Sequence, residues 1–347
     1  MQAIKTGLLS YGMSGKLFHS PFLQINPGFE FYAVWERSKN VAEQKFPEVK
    51  TYRSLNELLS DGEVEAVIVN TPNYTHYDYA RQALQAGKHV VVEKPFVTTV
   101  KEGEELIALA KKKGKVLSVY QNRRYDSDYR TLKKIIDEGS LGDIVEAEFH
   151  FDRYKVELSP KVHKETPGPG TGALYDLGSH IIDQALQLFG MPREVFGDIR
   201  TVRPASAVDD YFELLLYYPS LRVRLHSSYL VREALPGYIL HGSKGSFLKA
   251  KTNVQEEALD KGLPPEGNDW GKEPESEYGF LHTETDGRVI KEYIPSETGA
   301  YNDYFTALYQ AIREGAPVPV TAEDGLNVIR IIEAAIASNR ERKVIEL

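Results

Sequence analysis

The chain has 347 residues, 41% of them apolar and 27% charged, with a formal charge of -8. That is room for about two domains with substantial cores. The composition excludes wholesale disorder and collagen-like or coiled-coil repeats, and the acidic balance disfavours nucleic acid or an anionic membrane as main partner.

With no cysteine in the chain, disulfides, thiolate nucleophiles, iron-sulfur clusters and Cys-type zinc sites are all removed. Proton chemistry then falls to His, Lys, Asp, Glu or Tyr, or to a bound cofactor. No run approaches the ~20 apolar residues of a membrane span, and the N-terminus lacks the pattern of a secretory leader. A cytoplasmic location is the expectation.

Up to about residue 122, short β-branched runs alternate with helical patterns, the signature of a doubly wound parallel sheet. Strands are predicted at 4–9, 29–35, 64–70, 89–93 and 116–120. Ser54 with Glu57, and Thr99 with Glu102, have capping-box spacing, while Gly87 and Gly114 stand where helix C-caps belong. Beyond residue 122 the pattern changes. We expect a helix over 127–137, a strand over 144–154, a Pro/Gly-rich loop over 160–172 and a helix over 174–189. A hairpin follows, 211–218 with 221–229, then two strands around Gly242 to Gly245, a surface excursion over 251–277, and helices over 301–314 and 322–339. The fold class is thus an α/β Rossmann domain, 1–122, plus an α+β domain, 123–347, with an open, mostly antiparallel sheet. The last helix, amphipathic, is a candidate to pack back on the first domain. Residues 1–122 hold 15 Lys/Arg against 13 Asp/Glu, leaving 27 against 37 for the rest. The first domain escapes the acidity, which suits an anionic ligand.

Gly7 to Gly15 ends the first strand and opens a helix, where a Gly-rich turn lets backbone approach a pyrophosphate. Gly12 and Gly15 hold two places of the G-x-G-x-x-G pattern, and Ser10 takes the first; a plain strand-to-helix turn is the alternative. Tyr11 and Ser14 share this turn. Glu36 stands 21 residues after Gly15, where a carboxylate binds the adenosine ribose, while Arg37 and Ser38 suit a 2′-phosphate instead. Thr71, Pro72, Asn73 and, beyond them, His76 follow a strand at its carboxyl edge; a turn of ordinary turn formers is the alternative. Glu93 and Lys94 end the strand at 89–93, where a surface Lys is the plain reading.

In the helix over 174–189, Asp176 and His180 are spaced i,i+4 and Asp183 lies three beyond His180, so all three project from one face. Gly178 among them implies close packing. A His beside a carboxylate suits proton transfer near neutral pH, although a hydrogen-bonded structural His is the ordinary reading. The H-E-x-x-H arrangement is absent, and no metal site is expected.

The degenerate Gly fingerprint, Glu93-Lys94-Pro95, the loop Gly170 to Gly172 and Asp176-Leu-Gly-Ser-His180 together resemble the glucose-fructose oxidoreductase / inositol dehydrogenase / MocA family. Gln121 to Asp126 and Tyr175 to Asp183 look most like its NADP-dependent scyllo-inositol dehydrogenases. The resemblance implies a Rossmann domain, a second domain whose sheet often dimerises, Lys94, Asp176 and His180 as the catalytic group, and a cis Lys94-Pro95 bond. It implies NADP or NAD as cofactor and a polyol or sugar as substrate, with Arg124, Tyr125, His163 and Asp183 as candidate substrate contacts. A homodimer or homotetramer through the antiparallel sheet is expected. A non-catalytic cofactor-binding sensor, and a reductase of a non-sugar carbonyl or imine, are the competing readings.

Overall fold

The computed structural model describes residues 2–347. Two compact units are formed, each discontinuous in sequence. The first takes the chain up to Asn122 together with Gln255–Trp270 and Ala300–Leu326.

Its sheet contains β1 (Ile4–Leu8), β2 (Phe29–Trp35), β3 (Lys50–Tyr52), β4 (Ala66–Val69), β5 (His89–Glu93) and β6 (Leu117–Tyr120). The spatial order is β3-β2-β1-β4-β5-β6, with every pairing parallel. Order reverses between β1 and β4, and a ligand crevice belongs at the carboxyl ends of those two strands. Of the six, β3 is the one the sequence did not announce, because Lys50-Thr51-Tyr52 is too short to show a period. The other strands match their expected places within two residues.

Helices α1 (Ser20–Ile25), α2 (Val41–Lys45), α3 (Leu55–Ser60), α4 (His76–Gln85) and α5 (Val100–Lys113) alternate with the strands. Ser54 and Thr99 both form reciprocal capping boxes, and Gly114 caps α5 at φ +62°. The aromatic stacking of Phe22 on Phe305, 5.4 Å between ring centres, and of Tyr120 edge-on to Tyr304, ties residues 300–326 to this unit. Ser118 adds hydrogen bonds with the Tyr304 hydroxyl and to the Val320 carbonyl.

The second unit is Arg123–Val254, Gly271–Gly299 and Asn327–Leu347. Its sheet comprises β7 (Ile144–His150), β8 (Glu194–Arg200), β9 (Tyr211–Tyr217), β10 (Arg222–Ser228), β11 (Tyr238–Gly242), β12 (Gly245–Lys249), β13 (Gly279–Thr285), β14 (Arg288–Ile294) and β15 (Ile345–Glu346). The order is β14-β13-β12-β11-β7-β10-β9-β8-β15, antiparallel except for the β7/β10 pair. β7 ends at His150, short of the expected 154, and Tyr154 keeps only an isolated bridge to Leu230.

The remaining helices are α6 (Ser127–Asp137), α7 (Val162–Glu165), α8 (Ser179–Phe189), α9 (Val254–Asp260), α10 (Tyr301–Arg313) and α11 (Ala322–Glu341). Strand alternation puts Phe212, Leu214, Leu216, Val223 and Leu225 on the covered face of the sheet, all fully buried. The β13/β14 hairpin turns on Asp286-Gly287, both at positive φ, the Asp-Gly signal of a tight hairpin.

The expected surface excursion over 251–277 is exposed through most of 260–276, but it is anchored where Gln255, Leu259 and Glu273 are buried. Lys249 and Glu273 form an ion pair at 2.6 Å with no side-chain exposure on either partner, and Ser127 and Ser296 donate to the same carboxylate. Removing one partner strands the other charge without solvent. Lys249→Met is expected to lose roughly 3–5 kcal/mol in urea unfolding, whereas a loss below 1 kcal/mol would mean that Glu273 finds other compensation.

Candidate active site

In the first unit, Ser10 replaces a glycine without cost because no positive φ is needed there. Its hydroxyl accepts the Gly12 N–H at 3.1 Å, closing the turn. Asn70, at the end of β4, donates to the Ser10 carbonyl at 2.8 Å and so joins the two central strands at their carboxyl edge. A Cβ on Gly15 would lie 2.5 Å from that carbonyl oxygen and 3.0 Å from Asn70 Nδ2, so only glycine fits. Helix entry is a π-type turn, Gly15–His19, leading into α1. Such wide turns recur at functional sites. Ser14 is half-buried on the turn. Tyr11 instead turns its ring into the core against Phe31 and Phe46, an outcome its place in the turn did not announce.

Glu36 is the informative residue at the end of β2. Its carboxylate is buried and accepts the N–H groups of Val41 and Ala42 at 3.3 and 3.0 Å, capping α2. That employs both oxygens expected to reach a ribose. Arg37 and Ser38 are exposed beside it. Arg53 braces this loop by donating to the carbonyls of Glu36 and Lys39.

Thr71 and Thr75 share a hydroxyl contact at 2.6 Å, with Pro72 and Asn73 on the turn between them. His76 is fully buried, with Nε2 at 2.9 Å from the Thr71 carbonyl and Nδ1 at 2.8 Å from the Pro95 carbonyl. Burial pushes its pKa down. A neutral ring donates to one of these carbonyls only, so His76 lies between the two loops and ties itself to one of them. Glu93 is held by His19 at 2.7 Å and accepts the Lys94 N–H. Lys94 is half-buried, and the Lys94-Pro95 bond is cis. A cavity of about 860 Å³ in this unit shares only Tyr11 with these expected contacts, and otherwise runs from Lys16 and Gln44 to the 259–266 stretch.

In the second unit, the expected α-helix over 174–189 begins as a π-type turn, Leu174–Gly178, and becomes α-helical only in α8. Asp209, which the sequence reading missed, organises this entry. Its carboxylate accepts the Leu174 N–H at 2.8 Å, and Gly172, at φ +95°, passes so close that a Cβ would lie 1.8 Å from Asp209 Oδ1. A cap supplied 35 residues downstream leaves no local sequence pattern. Gly178 packs against Phe212, with a built Cβ 3.3 Å from its ring, which is the close packing its position implied.

Asp176 is half-buried and receives the Lys164 ammonium at 2.8 Å. Lys164 lies on α7, in a loop secured by the buried Arg203, whose guanidinium binds Asp210 and Glu165. His180 is buried beside the Phe151 ring, 6.0 Å between centres. Arg124 and Asp183 are brought together with each other: two hydrogen bonds of 2.7 and 2.6 Å make a bidentate pair. The 174–189 face therefore splits, with Asp183 inside the unit. Tyr125 is half-buried; His163 is exposed on α7, its pKa lowered by desolvation and by Lys164 and Lys161.

The comparisons with known proteins follow this geometry. Residues 4–121 match a family model described as an oxidoreductase family NAD-binding Rossmann fold, and residues 133–347 match the C-terminal α/β domain of the same family. The chain belongs to the glucose-fructose oxidoreductase / inositol dehydrogenase / MocA oxidoreductase family. It is 43% identical over its full length, and 97% of the relative's, to scyllo-inositol 2-dehydrogenase (NADP(+)) IolW of Bacillus subtilis. It is 38% identical, over 98% of its length and 97% of the relative's, to the uncharacterized oxidoreductase YdgJ of Escherichia coli. Among solved structures, the oxidoreductase YvaA of Bacillus subtilis superposes with a TM-score of 0.97 at 43% identity, covering 100% of this chain and 99% of that one. An oxidoreductase from Bacteroides fragilis gives 0.91 at 48% identity, with both chains fully covered. The family's first domain is an NAD-binding one, and the Ser10 to Gly15 turn lies at the carboxyl end of β1, the edge where such sheets take a dinucleotide. No helix among the described residues is long and apolar enough to cross a membrane.

The Asp209 carboxyl is pushed up to about 6 from 3.8 by burial, with the Leu174 N–H opposing. A carboxyl whose folded pKa is raised contributes stability that is complete below its unfolded value and is lost as pH rises through the folded one. Between about pH 4 and pH 6 the loss amounts to at most ~3 kcal/mol. Asp209→Asn is expected to remove that slope from pH-dependent denaturation, and parallel curves for the two proteins would refute it.

Proposed function

We propose that this protein is an NADP-dependent dehydrogenase that interconverts a secondary alcohol and a ketone on an inositol-like polyol or sugar. The observation that carries the reading is the full-length likeness to a protein named as an NADP(+)-dependent scyllo-inositol dehydrogenase. The cofactor preference rests on Glu36, whose engagement with the start of α2 leaves Arg37 and Ser38 as the exposed groups at the ribose end. An Arg guanidinium pairs with a phosphate by charge-assisted hydrogen bonds.

NADP(+), when bound, supplies the hydride acceptor. The Ser10 to Gly15 turn would hold the pyrophosphate, and Arg37 with Ser38 would hold the 2′-phosphate. His180 takes the hydroxyl proton as the hydride leaves the carbinol carbon. Asp176, its charge steadied by Lys164, orients the imidazole or the substrate hydroxyl. The Lys94 ammonium stabilises the alkoxide as it forms. A second copy of the chain would associate through the open sheet face, where the pair Phe196/Leu215 and the row Ile239, Leu248, Phe280 and Tyr293 present apolar surface on either side of Arg224 and Glu148.

Turnover on an inositol panel, followed by NADPH absorbance, tests the assignment. His180→Asn and Lys94→Ala are each expected to lower kcat/KM about 10²- to 10⁴-fold while NADPH binding, read by fluorescence, persists. Tight binding of cofactor with no turnover on any polyol or sugar would identify a sensor. For the cofactor, Arg37→Ala is expected to raise KM for NADP(+) roughly 10- to 100-fold, the loss of one or two charged hydrogen bonds, and to leave KM for NAD(+) unchanged. A native preference for NAD(+) would overturn the Arg37 assignment.

A further inference from the structure

The second unit contains a constellation that the dehydrogenase reading does not use. His150 ends β7, His226 lies directly opposite it on β10, and Asp152 follows two residues after His150. The three donor atoms lie within 4.8 Å of one another. His226 Nδ1 is 3.0 Å from Asp152 Oδ1, and His150 Nδ1 is 3.5 Å from Asp152 Oδ2. Neither Nδ1 makes an aligned hydrogen bond, although both are shielded from solvent and His150 is only 7% exposed. From this geometry we infer a site for a divalent transition metal, zinc by its donor set, bound by His150 Nδ1, His226 Nδ1 and an Asp152 oxygen.

Tetrahedral zinc holds its ligands at about 2.0–2.2 Å, which sets neighbouring ligand atoms roughly 3.4 Å apart. The observed separations already approach that spacing. Two imidazoles and one carboxylate with no thiolate suit zinc and leave a fourth position for water. His150 has the surroundings of a metal-binding histidine, its second nitrogen held by a carboxylate. Glu148 Oε2 lies 3.3 Å from His150 Nε2, and Arg224 fixes Glu148 through its other oxygen at 2.9 Å. A proton on Nε2 leaves the Nδ1 lone pair facing a carboxylate oxygen, a juxtaposition that a cation resolves. Asp152 is oriented in turn by the Ser228 N–H at 2.9 Å, and the Tyr211 ring packs edge-on to His226.

An ion here would clamp β7 to β10 at the point where Phe151, between the two β7-side ligands, leans on the His180 ring. The site is structural: it stiffens the strand end beside His180 and takes no part in hydride transfer. It stands whether or not the substrate is a polyol.

The test uses tag-free protein stripped with a chelator and desalted, then titrated with zinc chloride by calorimetry and with cobalt(II), whose visible bands report nitrogen/oxygen coordination. One equivalent per chain is expected, with a raised melting temperature. Asp152→Asn and His226→Ala should each lose at least about 100-fold in affinity, and Glu148→Gln about 10- to 100-fold through loss of the orienting bond. Circular dichroism of the metal-free variants checks folding, and Glu148→Gln, which leaves all three ligands in place, decides the matter if a ligand variant does not fold. Absence of saturable binding, or affinities unchanged in Glu148→Gln and Asp152→Asn, would overturn the site.

Discussion

Both chemical regions of the chain depend on one constraint, a glycine at which another group passes too close for a side chain. At Gly15 that group is the Ser10 carbonyl, and at Gly172 it is the Asp209 carboxylate. In each case the helix that follows opens with a π-type turn. A wide turn displaces the side chains behind it from the α-helical period, so His19 and His180 emerge where a regular helix would not put them. The first serves Glu93 beside Lys94; the second is the proposed base.

The carboxylates of this protein illustrate how position decides role. Glu36 caps a helix, Asp183 neutralises Arg124, Glu273 neutralises a buried lysine, and Asp152 stands between two imidazoles. Asp176, by contrast, is half-buried with a lysine partner from a surface loop. Burial makes each of the others costly unless its oxygens are bonded.

Much of the fold was legible. Parallel strands buried on both faces read as apolar runs such as Val90 to Val92, and capping boxes at Ser54 and Thr99 marked helix starts, because these signals are local in sequence. What escaped was either short, as β3, or neglected, as the Asp286-Gly287 hairpin, whose turn signal was present. The 251–277 stretch looked like surface because polar residues dominate it; Glu273 and Gln255 are buried only because distant partners reach them.

The sequence by itself determined the family and named the Gly-rich turn, Lys94, Asp176 and His180 as candidates, since those motifs lie within runs of a few residues. Tertiary structure decided which charges are spent internally. It set Glu36 on α2, Asp183 on Arg124, and Asp209 on a helix 35 residues before it. Likewise it brought His150 and His226 from separate strands onto Asp152. Hydrogen bonds and ion pairs act over a few ångströms of space whatever the separation along the chain, so no reading of spacing could have paired them.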